Sequence, residues 1–248
     1  MSPVKDRIAS EIRALFAPDG TRDVPFEPGV GLFPADSISR QVHGNVVTMM
    51  IGGVSALFLQ MLHPGALGGV WDHSDFRKDM LGRLRRTARF IGVTTFGQLD
   101  DAEAAIARVR QVHDYVKGTL PDGTPYSAND PELLRWVHVT ELVSFLAAYR
   151  RYRDPAMGRR EADRYFAENV IVAERLGATD VPASEAAANA YLKGIRHDLL
   201  VDARVREVAG ILMAHRADNA LAQPGVTLLM KAGIDLMPDW ARRMHGFS

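Results

Sequence analysis

The chain has 248 residues, enough for one large domain or two small ones, and an apolar share of 47% places it with folded globular proteins, not disordered ones. Thirty basic and thirty acidic side chains cancel, so the basic excess of a duplex nucleic-acid binder is missing. Cysteine is absent, which excludes disulfides, Fe–S clusters, cysteine zinc sites and thiolate-ligated haem, and nothing argues for an oxidising compartment. Twenty-five of the thirty cations are arginine. That is either compositional bias or a set of forks suited to clamping carboxylates.

Helical periodicity dominates, and strand alternation is scarce. Residues 1–16 read as an amphipathic helix with Pro3 in its first turn, without the basic-apolar-small order of a secretory signal. Residues 18–36 are rich in Pro, Gly and Asp and read as an arm. A long helix is predicted over 37–62. Its apolar run from 46 to 62 is short for a span of about 20 residues and contains Thr48, Ser55 and Gln60. It reads as a buried core helix in a cytoplasmic chain without a stable membrane span, with contact to a membrane surface as the alternative.

His63-Pro64 ends that helix, because the residue before proline resists the α conformation. A short helix and turns follow to 79, then a helix over 81–96 that stops near Gly97. Asp100, with Glu103 three residues on, predicts an N-cap for a helix closed by Lys117 and Gly118. A polar loop leads to a helix over 131–153. Another starts at Asp154-Pro155 and ends at Leu176-Gly177. Ser184 caps one running to His197. Residues 203–230 read as two pieces broken at Pro224-Gly225, and a last helix begins near Pro238. With no repeat, low-complexity tract or linker, the expectation is a single all-α domain over 1–248, with 1–36 as its N-terminal helix and arm.

Four features could carry chemistry. Ala102, Ile106, Val109, His113 and Val116 recur at spacings of four and three, which puts His113 on an apolar stripe. An inward imidazole needs partners for both nitrogens, so it is either a core histidine bonded to a carbonyl or a metal ligand. Arg83 and Thr87, four apart, share one helix face and are either a solvated basic face or an anion clamp. The half-apolar pattern after them turns Thr87 inward. His63, Asp72, His73 and Asp75, two His and two Asp within thirteen residues, could bind a metal, or Asp72 or Ser74 could instead be a helix cap. His138 and Glu141, three apart, lack the second copy that a di-iron bundle requires. The glycine pairs Gly52-Gly53 and Gly68-Gly69 follow no strand and form no phosphate loop.

The order LQMLHPGALGGVWDHSDFRKDMLGRLRRTARFIGVTTFG, then a stripe-facing His113, then Tyr126-x-Ala128-x-Asp130-Pro131-x-Leu133-Leu134-x-Trp136-Val137-His138, resembles the latex-clearing-protein (rubber oxygenase) catalytic-domain family. A fungal membrane-bound oxygenase that cleaves a farnesyl side chain belongs to the same family. The resemblance covers about residues 37–220. It implies an all-α fold with a globin-like core, b-type haem, and O2-dependent cleavage of an isoprenoid double bond. It implies that His113 is the axial ligand to haem iron and that Arg83 and Thr87 line the haem pocket, with His138 matching a downstream histidine. Arg86 stands where rubber oxygenases carry a lysine. Arg86 stays protonated and cannot ligate iron, so it is expected beside the haem as a cation.

The family's proposed base, a glutamate upstream of the arginine, has no counterpart, since no Glu lies between Glu27 and Glu103. His73, Asp75 and Asp79 are the nearby candidates, and His73 is taken as the catalytic one. The expectation is a haem oxygenase with O2 and a small apolar substrate as partners. The alternatives are a non-catalytic haem sensor, carrier or redox protein, and a helical binding protein that has lost the cofactor.

Overall fold

A computed structural model describes residues 31–77, 79–214 and 223–247 of the chain. The helix expected over 1–16 and most of the arm after it lie outside these residues. Within them the order is α1 (Ile38–His43), α2 (Val46–Gln60), α3 (Pro64–His73), α4 (Met80–Phe96), α5 (Leu99–His113), β1 (Lys117–Thr119), β2 (Pro125–Ser127), α6 (Pro131–Tyr152), α7 (Arg159–Leu176), α8 (Glu185–Gly194), a 3₁₀ turn (Ile195–Asp198), α9 (Ala203–Ala214), α10 (Gln223–Leu236) and α11 (Asp239–His245). The all-α class is as expected.

The helix predicted over 37–62 is in fact two. Asn45 takes an extended backbone, and its side chain accepts from Thr48 N, so α2 starts afresh with its own cap. α1 is anchored at its start. Ser37 accepts from Arg40 N, and the Glu168 carboxylate on α7 accepts from Ile38 N, Ser39 N and Ser39 Oγ. A carboxylate at a helix start satisfies N–H groups that the helix leaves unpaired. This fixes the other end of α1, where His43 sits.

α2 and α6 form the centre of the molecule. A Cβ at Gly52 would stand 2.9 Å from the Ser144 carbonyl and 2.8 Å from Phe145 Cδ1, so the two backbones approach only because residue 52 has no side chain. Trp136 Nε1 donates to the Gln60 carbonyl (3.2 Å), and Gln60 Nε2 donates back to the Val137 carbonyl (3.4 Å). Gly233 lets α10 lie on Val54 from the other side. Phe58, Phe76, Trp136, Tyr165 and Phe166 are fully buried in one cluster, each contributing on the order of 2–3 kcal/mol of transfer free energy. Among the described residues no single helix is long and apolar enough to cross a membrane. α2 is the most apolar candidate, and Ile51, Val54, Phe58 and Leu59 on it are buried inside the protein.

Several predicted boundaries move. α5 begins at Leu99 with Gln98 as its N-cap, and Asp100 and Asp101 lie in the first turn, where they complement the helix dipole. Lys117 and Gly118 do not close that helix. They open a hairpin in which Lys117 pairs with Ser127, too short for any alternation to show in sequence. α7 starts at Arg159, later than Asp154-Pro155, and ends at Gly177 with φ 111°. Pro224 lies in the first turn of α10, where its missing N–H costs nothing, and does not break a helix.

Candidate functional site

α6 carries two polar side chains into the apolar bundle. His138 is 8% exposed, and its Nε2 is sealed from solvent with no hydrogen-bond partner among the described residues. Six residues further on, Ser144 is 2% exposed with its hydroxyl also unpaired. Buried polar atoms are satisfied in the great majority of cases, so these two in the middle of α6 need a reason. Glu141, three residues from His138, shares that side of α6.

The titration behaviour groups these residues with others from four more helices. Burial pushes the Glu141 carboxyl up to about 7, against a side-chain hydrogen bond from Gln60 on α2 and the charge of Arg83 on α4. Burial lowers the Arg83 guanidinium, helped by Arg86 and opposed by Glu141. Burial lowers His138 to about 4, so its ring is neutral at pH 7. On α1, burial and the nearby His138 lower His43 to about 3. On α7, burial and then the charges of Glu141 and Glu168 raise Tyr165 well above its ordinary value. These effects form a chain from His138 to His43, through the His43–Tyr165 contact to Glu141, and on to Arg83, on helices α1, α4, α6 and α7.

His43 is the satisfied histidine of that centre. Its Nδ1 lies 2.8 Å from Thr95 Oγ1 and its Nε2 lies 2.8 Å from Tyr165 Oη. A neutral ring has one donor and one acceptor nitrogen, and two hydroxyls match that whichever tautomer is present. His138, near enough to lower His43, has its Nε2 left unpaired.

The predicted site residues divide. Arg83 and His138 come to the centre. His113, the last residue of α5, is half-buried. Its Nδ1 is sealed and unpaired, so the carbonyl of an ordinary core histidine is not supplied by any described residue. Burial lowers its pKa, opposed by Asp114. Thr87 is exposed, contrary to the inward orientation expected of it, and its hydroxyl donates to the Arg83 carbonyl (3.3 Å) one turn back. Arg86 is exposed and paired with Asp79 at 3.3 Å.

His73 is exposed at the end of α3. Its Nε2 lies 3.1 Å from the Lys117 carbonyl, and its ring meets Tyr126 edge-on. Asp72 accepts from Tyr126 Oη at 2.5 Å, and His63 Nδ1 accepts from Gly65 N to cap α3. Of the two expected caps, Ser74 is one, as the C-cap of α3, and His63 is an N-cap that was not expected. Among the described residues no group of three His, Asp or Glu side chains is placed to hold a bare metal ion.

Sequence reasoning passed over His43, Gln60, Thr95 and Tyr165. One signal was available. Ser39 and His43 are four apart on the face that also carries Ile38 and Val42, and polar residues on such a face ask for partners. The partners lie on α4 and α7, more than fifty residues away, and no local pattern names them.

Residues 40–248 match a family described as ER-bound oxygenase mpaB/B'/Rubber oxygenase, catalytic domain. No curated protein and no solved structure matches the chain.

Proposed function

The chain belongs to the ER-bound oxygenase mpaB/B'/rubber oxygenase catalytic-domain family, and from that premise we propose that it is a haem b-dependent oxygenase acting with O2 on a small apolar, alkene-bearing molecule of isoprenoid type. The observation that carries the haem is the pair of sealed, unpaired imidazole nitrogens, His113 Nδ1 and His138 Nε2, on separate helices. Iron in a porphyrin takes a single protein nitrogen, so the lack of a three-residue metal cluster is no obstacle to it.

In this reading His113 is the axial ligand, as the resemblance implies. Burial keeps its ring neutral and able to ligate. Arg83 supplies a fixed positive charge at the edge of the buried centre, and Arg86 and Thr87 stand on the exposed side of the same helix, where propionates would meet solvent. His138 lines the pocket, and the apolar residues of α2 exclude water and bind a greasy guest. His73 is left out, because its described partners belong to the β hairpin. Bound haem supplies an iron centre that activates O2. A globin-like core belongs to the same reading.

The test is the absorption spectrum of the full chain produced with a haem precursor. An intense Soret band is expected, lost in His113→Ala, with a CO-induced shift in the ferrous protein. A colourless protein that stays colourless after haem addition overturns the reading. A six-coordinate spectrum that CO does not change replaces the oxygenase with a sensor or carrier.

A further inference from the structure

From α1, His43 touches three other helices. Its Nδ1 lies 2.8 Å from Thr95 Oγ1 on α4, and its Nε2 lies 2.8 Å from Tyr165 Oη on α7. Its ring stands T-shaped against Phe145 on α6, with centroids 5.7 Å apart. Phe145 and His138 are seven residues apart, so they share one stripe of α6. α1 is itself tied to α7, where Glu168 accepts from Ile38 N, Ser39 N and Ser39 Oγ, and Asn169 Nδ2 donates to Ser39 Oγ (2.8 Å).

α4 depends on that tie. Among the described residues Thr95–His43 is its only hydrogen bond to another helix, and no hydrogen bond, ion pair or ring contact joins it directly to α6. Arg40, whose guanidinium lies 5.9 Å from the Phe96 ring, holds the same end and also belongs to α1. Thr94 and Thr95 are buried there, whereas Thr87 and Ala88, seven residues earlier on the same stripe, are exposed. α4 is thus held at its last turn and uncovered two turns earlier. Arg83 lies beyond, twelve residues or about 18 Å along the helix from Thr95. A tilt of about 5° at Thr95 moves Arg83 by about 1.5 Å over that length, and misplacing a pocket group by about 1 Å can cost about 100-fold in rate.

We propose that His43 is a positioning residue of the candidate site. By joining Thr95 on α4 to Tyr165 on α7 and Phe145 on α6, it fixes where Arg83 stands relative to His138. It acts through these contacts and touches no guest. The inference rests on the oxygenase reading for what the spacing serves, and on the contacts alone for the spacing itself.

Two measurements on the full chain test it. The chain has no cysteine, so two introduced ones take spin labels without interference. With labels at Arg89→Cys on α4 and Tyr152→Cys on α6, both exposed positions, double electron–electron resonance reads the distance between the helices in unloaded protein. The distribution is expected to be single and narrow. It should shift and broaden in Thr95→Val, which cannot bond His43, and recover in Thr95→Ser. Thr94→Val is the control and should change nothing, since the Thr94 hydroxyl is equally buried but bonds only the Phe90 and Ile91 carbonyls of its own helix. Tyr165→Phe cuts the bond on the other side of the ring, and replaces Thr95→Val if that variant does not fold. The second measurement is the C–O stretching band of the ferrous CO complex of haem-loaded protein. It should shift or broaden in Thr95→Val and recover in Thr95→Ser, at equal haem content.

Label distances that Thr95→Val leaves unchanged, or that Thr94→Val disturbs equally, overturn the proposal. So does a C–O band that Thr95→Val does not move. If the wild type takes up no haem, the oxygenase reading fails by itself. The label distances on the unloaded chain then still decide whether His43 sets the place of α4.

Discussion

The α2–α6 centre and the α4–α5 hairpin carry the two groups of residues that matter here, and they differ in how tightly the surrounding protein specifies them. At the centre, backbones approach until a glycine is obligatory at position 52. His43 has both nitrogens matched, and the titration of Glu141, His138 and His43 is displaced by burial. On the hairpin, Gly92 has nothing within 4 Å of where a Cβ would stand, Thr87 and Arg86 face outward, and His113 is only half-buried. The contrast separates a part of the molecule that its own packing specifies from a part whose polar groups face solvent or are only half-buried.

Four comparisons put that contrast at risk, taken from the largest expected effect to the smallest. His43→Ala leaves a cavity and orphans the Thr95 and Tyr165 hydroxyls, at a cost of about 3 kcal/mol. His113→Ala in the unloaded chain is expected to cost about 1 kcal/mol or less. Urea midpoints of the two variants measure both, and equal losses would mean that the hairpin is as tightly specified as the centre.

Gly52→Ala forces a methyl against the Ser144 carbonyl and should destabilise by about 2 kcal/mol. Gly92→Ala should instead stabilise by about 0.5–1 kcal/mol, since alanine is the better helix former and has open space. Opposite signs in thermal melts are the expected result, and a loss from Gly92→Ala would place an unseen neighbour over the hairpin.

The pH dependence follows from the direction of each shift. Glu141 is raised, so the stability it contributes is present below its ordinary 4.5 and is lost as pH rises through about 7. His138 and His43 are lowered to about 4 and about 3, so theirs is present above 6.5 and is lost as pH falls through those values. Between pH 5 and 7 the carboxyl and the imidazoles oppose one another. Glu141→Gln should therefore steepen the rise of stability over that interval, by roughly 2 kcal/mol after allowing for partial solvent screening. Denaturant titrations at pH 5, 6 and 7 check it, and an unchanged slope would return Glu141 to ordinary behaviour.

Thr87→Ala is the smallest, within about 0.5 kcal/mol for an exposed hydroxyl bonded only to its own helix. Its effect on haem content, relative to that on stability, tells whether the outer side of α4 meets the cofactor.

The legible parts were those with a short-range signal. Asp130-Pro131, Ser184 and Gly177 announce helix ends by chemistry that acts within one turn, and the structure uses each one. Asn45 carried the same kind of signal, but the segment before it and the apolar run after it read as a single helix. Inward orientation was less legible. The pattern that turned Thr87 inward says which side of a helix is apolar, and it cannot say what packs there.

The sequence alone determined that the chain is helical, that α2 is apolar enough to be buried, and that the order of His63-Pro64, Arg83-x-x-x-Thr87, His113 and His138 belongs to one oxygenase family. Only the tertiary structure decided that His138 and Glu141 share their surroundings with His43, Arg83 and Tyr165, while Thr87 and His73 do not. Helix formation and capping depend on neighbours within four residues, which the sequence lists directly. Burial of a titratable group depends on elements up to more than a hundred residues away, and these meet only when the bundle closes.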